Sequence, residues 1–111
     1  MVRRARQRPR RAMSEAYTVT LTPGALSDFD RLDCFLREKN PAAADRMLNA
    51  FNTAFTRLAE NPFDSPVISA SNLRARIIRF GKDGYACLYR INGPTVLIAR
   101  IFHTREDWRS P

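Results

Sequence analysis

Along the chain the spacing of apolar residues switches from strand-like to helix-like and back again. Tyr17, Val19 and Leu21 alternate with Thr18 and Thr20, the pattern of a half-buried strand. Thr22-Pro23-Gly24 stops it: Thr22 can cap a helix, and Pro23 suits the first helical position, where a missing N–H costs nothing. Ala25, Phe29, Leu32 and Leu36 then recur at spacings of four, three and four, which predicts an amphipathic helix. Asp28, Asp30 and Asp33 lie early in it, and Arg37 and Lys39 close it, as the helix dipole favours. Asn40-Pro41 repeats the start signal. Ala44, Met47 or Leu48, Phe51, Phe55 and Leu58 carry a second helix to Asn61-Pro62. So short a joint makes the two helices an antiparallel hairpin.

Residues 63–72, with prolines and serines, read as a loop. Three strand-like runs follow: Leu73 to Phe80, Tyr85 to Ile91 and Thr95 to His103, separated by turns at Gly81-Lys82-Asp83-Gly84 and Asn92-Gly93-Pro94. The last is richest in β-branched and apolar residues and should be central in the sheet. The expected fold is therefore α+β, in the order β-α-α-β-β-β: a small antiparallel sheet with a helical hairpin on one face. Two helices cover one face only. Strict alternation puts Ala86 and Leu88 opposite Cys87, Tyr89 and Ile91, and Val96 and Ile98 opposite Leu97 and Ile101. The second apolar face then needs a cover, either a partner or the chain's own tail and long loop.

Charge adds an asymmetry. The net +8 over 111 residues is largely the six arginines of residues 1–12 (Arg3, Arg4, Arg6, Arg8, Arg10 and Arg11), which have no acid and no apolar period among them. Such a segment reads as a basic, disordered extension ahead of a domain spanning residues 13–111, and Met13-Ser14-Glu15 looks like a natural start. From Met13 to Asn72 there are five basic and eight acidic residues; from Leu73 to Pro111, eight and three. An anionic partner belongs on the second half. Cys34 and Cys87 lack metal-ligand spacing and read as free thiols of a cytoplasmic protein, so neither metal nor cofactor is expected. Charges interrupt every apolar run before membrane-spanning length, so no membrane is expected as a partner.

The runs YTVTLTPGAL, NPAAADRML, LAENP, LRARIIRF, GYACLYRI and VLIARIFHTRED, in this order from Tyr17 to about Asp107, resemble the RelE/ParE toxins of bacterial type II toxin–antitoxin systems. Asn-Pro-x-Ala-Ala at the second helix start and the Arg-Ile-Phe-His-x-Arg-x-Asp ending look closer to the ParE branch. The resemblance implies a toxin neutralised by a cognate antitoxin, whose C-terminal segment would wrap it. Tyr89, Ile91, Phe29 and Phe55 are the expected antitoxin contacts. It also implies either inhibition of DNA gyrase, as in ParE-like members, or cleavage of messenger RNA on the ribosome, as in RelE-like members. Operator DNA would be reached only indirectly, through the antitoxin. A module that only joins the antitoxin in repressing its own operon is a third reading.

Nuclease chemistry needs arginines at the scissile phosphate, a base for the 2′-hydroxyl proton and an acid for the leaving oxygen. Arg79, His103 and Arg105 are the candidates, with Tyr89 as a further donor. Arg74, Arg76, Arg100, Arg105 and Trp108 are the candidate target contacts; Trp108 reads equally as a hydrophobic clasp. Two departures weaken the nuclease case. RelE-like nucleases often carry an arginine where this chain has Gly81, and a Tyr or His near the C-terminus, where this chain reads Glu106-Asp107-Trp108-Arg109-Ser110-Pro111.

Overall fold

A computed structural model describes residues 16–109, so the basic extension at residues 1–12 lies outside the described residues. The elements are β1 (Thr18–Leu21), α1 (Pro23–Lys39), α2 (Pro41–Glu60), β2 (Arg74–Phe80), β3 (Asp83–Asn92) and β4 (Thr95–His103). A single helical turn, Pro62–Asp64, follows α2.

Each boundary has a local cause. The Thr22 hydroxyl accepts the Ala25 N–H at 3.0 Å, and Pro23 follows it. Asn40 serves both helices: its N–H donates to the Leu36 carbonyl of α1 at 2.7 Å, while its side chain accepts the Ala43 N–H of α2 at 3.1 Å. Both hairpins turn over two residues that begin with a left-handed glycine, Gly81 (φ 63°) and Gly93 (φ 57°).

The sheet order is β1-β4-β3-β2, which places β4 inside the sheet as its composition predicts. β2, β3 and β4 form the expected antiparallel meander, but β1 pairs parallel with β4, Thr18 opposite Thr95. The sheet is mixed because the helical hairpin acts as a crossover, carrying the chain from one edge strand to the other.

A second departure lies within β4. Leu88 pairs with Arg100 and Tyr89 with Ile98, so Ala99 is an extra residue, a β-bulge. Alternation restarts there, and Ile98 and Ile101 share one face instead of opposing each other. That face packs on the helices: Tyr85, Cys87, Tyr89, Val96, Ile98 and Ile101 meet Leu32, Met47, Phe51 and Leu58. Met47, and not Leu48, fills the inward position of α2, with Leu48 left exposed.

The other face carries a small cluster of Ala75, Ala86 and Leu88 under Trp108, with Ile68 and Phe102 at its margin. The C-terminal tail and the loop before β2 close this face. Of the two covers expected for the second apolar face, a partner or the chain itself, the chain's own tail and loop take the place.

Candidate functional site

Among the described residues two features stand out: a cleft at one end of the sheet, and the helix-free face.

The cleft has a volume of about 650 Å³ and opens between α1, the β2–β3 turn and the end of β4. Leu32, Leu36, Phe80 and Tyr85 give it an apolar lining, and Phe35 stands at its mouth with 63% of its surface exposed. Two ion pairs rim it, Arg31 with Glu106 at 3.1 Å and Arg105 with Asp83 at 3.2 Å. His103 sits on the wall. Its ring meets Tyr85 edge-on, centroids 5.5 Å apart, and its Nδ1 accepts the Arg105 N–H at 3.1 Å. The Glu106 carboxylate accepts the His103 main-chain N–H at 2.8 Å, which ties the tail back to the strand end. Burial raises the Tyr85 phenol above its ordinary value, so it stays protonated and neutral.

The helix-free face follows from strand parity. Ala75, Ala86 and Leu88 lie on it, so Ile77, Arg79 and Arg90 lie on it too. Arg100, opposite Leu88, covers the Phe102 ring at 4.7 Å, and Arg109 covers the Trp108 ring at 4.3 Å. Arg79 and Arg90 are exposed and have no ion-pair partner among the described residues.

The nuclease candidates are parted by this geometry. Arg79 leaves the helix-free face, whereas His103, in register with Tyr85, lies on the helix side, and Arg105 is paired with Asp83. Tyr89 is fully buried, and its hydroxyl donates to the Pro62 carbonyl at 2.6 Å. It is neither a free proton donor nor an open docking residue. Ile91, Phe29 and Phe55 also pack against the helix-side core. The expected antitoxin contacts therefore do not form an exposed patch, because Tyr89 and Ile91 lie on the sheet face that the helices cover.

The expected target contacts divide as well. Arg74 fastens the loop before β2, donating to the Ser65 carbonyl at 2.7 Å and lying over the Phe63 ring. Arg76 lies on the helix side opposite Cys87, whose thiol burial pushes up to about 12. Arg100 is bound to Asp28 at 2.7 Å, and Trp108, 7% exposed, is a clasp. Phe35 was missed because it falls beside the apolar stripe of α1 and reads as a stray surface residue. Among the described residues no group of three or more His, Cys, Asp or Glu side chains could hold a metal, and no helix is long and apolar enough to cross a membrane.

Residues 19–108 match the family described as the ParE toxin of the type II toxin-antitoxin system, parDE. Two Caulobacter vibrioides proteins are similar along most of the chain. Toxin RelE3 is 34% identical over 89 residues, 80% of this chain and 96% of that one. Toxin RelE1 is 33% identical over 91 residues, 82% and 97%. A solved chain of the chromosomal ParDE TA system from P. aeruginosa shares the fold with a TM-score of 0.65 at 15% identity, covering 81% of this chain and 98% of that one.

Proposed function

The chain belongs to the ParE toxin family of type II toxin–antitoxin systems, and on that premise we propose that it inhibits DNA gyrase by binding, without chemistry of its own, until a cognate antitoxin neutralises it. The observation that carries this reading is the separation of Arg79 from His103 across the sheet, with Arg105 held by Asp83. General acid–base catalysis needs its groups within hydrogen-bonding reach of one substrate. A poison needs complementarity over a surface and no convergent set. The reading requires neither metal nor cofactor.

The antitoxin's place in this reading is the cleft. A volume of about 650 Å³, an apolar lining and an exposed Phe35 suit the aliphatic or aromatic anchors of a partner segment, and the charged rim orients its polar residues.

The purified protein should inhibit gyrase supercoiling, or accumulate cleaved DNA with it, while ribosome-bound messenger RNA stays intact. Codon-positioned cuts in that RNA, abolished by His103→Ala or Arg105→Ala, would replace this reading with the ribonuclease one.

A further inference from the structure

The helix-free face combines three features that the cleft does not explain. Its strand positions carry Arg79, Arg90 and Arg100, the last paired with Asp28, and no acid; the tail adds Arg109, with Asp107 two residues before it. Most of its apolar residues are already covered: Ala86, Leu88 and Trp108 are buried beneath the surface, and Leu97, in register with Arg90, is half-buried. The opposite side is balanced in charge, because α1 and α2 carry Asp30, Asp33, Glu38, Asp45 and Glu60 alongside Arg31, Arg37, Lys39, Arg46 and Arg57.

We propose that this face docks on duplex DNA, gripping the phosphate backbone through Arg79, Arg90 and Arg109 without reading bases. A protein partner would need an apolar centre to bury. Here only Ile77, at the β2 edge, remains substantially exposed among the apolar residues of this face. A polyphosphate needs cations alone. An unpaired strand would need open aromatic planes for its bases. Both candidate planes are taken, Trp108 by Arg109 and Phe102 by Arg100.

The spacing also fits a duplex. Arg79 pairs with Gly84, and Arg90 lies six residues further along β3, roughly 20 Å away at strand rise. That exceeds the ~12 Å width of a B-form major groove, so the arginines can reach the phosphates on both of its banks. With the helix layer nearly neutral, the arginine face carries the field that orients the approach. The inference goes beyond the gyrase reading and does not depend on it, because the contact is measured with DNA alone. It also departs from the expectation that DNA is reached only through an antitoxin.

The test uses the full chain and a fluorescent 20-base-pair duplex, with anisotropy read across a salt series. Arg79→Ala/Arg90→Ala is compared with Arg46→Ala/Arg57→Ala, two exposed arginines on α2. Both double variants lose the same charge and keep residues 1–12. The face variant should flatten the slope of log Kd against log salt by roughly 1.8, about 0.9 per lost phosphate contact. Its affinity at low salt should fall about tenfold, and that of the helix variant about twofold or less. Equal losses in the two variants would overturn the proposal, since net charge or the first twelve residues would then carry the binding. Tighter binding to a single-stranded RNA of equal length, displacement by polyglutamate at equal charge, or no binding at low salt would also overturn it.

Discussion

The Asp28 carboxylate, on α1, accepts the main-chain N–H of Ile101, on β4, at 2.9 Å. β1 ends at Leu21 beside Ile98, so the edge of β4 beyond that point has no strand partner. Thr22 and Asp28 occupy it instead. The Thr22 hydroxyl donates to the Ala99 carbonyl at 2.9 Å, and Asp28 takes Ile101 together with the Arg100 guanidinium. One buried side chain thus satisfies the backbone beside the bulge and joins the helix layer to the sheet.

Asp28→Ala should be markedly destabilising. It strands a buried N–H, which costs about 2 kcal/mol, or a fall in Tm of roughly 10 °C for a domain this size. A melt within a degree or two of the parent would mean that the edge reorganises freely.

The same carboxylate predicts an acid sensitivity. Burial opposes its ionisation, but hydrogen bonds from Arg100 and Ile101 outweigh burial and hold it below its ordinary 3.8. A depressed folded-state pKa contributes stability that is complete above the unfolded value and is lost as pH falls through the folded one. Urea midpoints should therefore drop below about pH 4. The Asp28→Asn variant should show a shallower drop over the same interval.

Trp108→Ala should uncover Ala86 and Leu88. Truncating a buried tryptophan costs about 3 kcal/mol or more, and the exposed cluster should bind an apolar dye such as ANS. Unchanged stability without dye binding would remove the clasp role.

The cleft can be tested without disturbing the core. Phe35→Asp alters a side chain that is mostly exposed, so folding should be spared while antitoxin affinity falls at least tenfold, about 1.4 kcal/mol or more. Leu26→Asp, at a position also mostly exposed on α1 but outside the cleft, is the comparison. Equal titrations for the two variants would place the antitoxin elsewhere.

Much of the fold was legible because its signals are local. Thr22 and Asn40 cap where their identities predict, the glycine turns fall between the right strands, and the stripe from Ala25 to Leu36 faces the core. What escaped depends on distant partners. A four-residue strand such as β1 carries no mark of its direction. The Ala99 bulge shifts parity on β4 without a distinctive residue, so alternation set Ile101 opposite Ile98; along β3 alternation holds, and Tyr89 is buried because its face is the one the helices cover. Asp28 looked like a helix-start acid, although α1 has no acid in its first turn and Asp28 serves residues 72 and 73 positions away. The candidate site suffered most, because whether Arg79 and His103 meet is decided by strand parity and not by their chemistry.

The parallel pairing of β1 with β4 carries a kinetic consequence. The helical hairpin and the β2–β3–β4 meander join neighbours in sequence, whereas Thr18 and Thr95 must meet across most of the chain. Closing so long a loop delivers its contacts only after its entropy has been lost, so local units assemble first and this seam zips last. Contacts absent from the transition state govern escape from the native state rather than arrival at it. Val19→Ala should then speed unfolding while leaving refolding nearly unchanged, and the lifetime of the folded toxin is set at the seam between its first strand and its last.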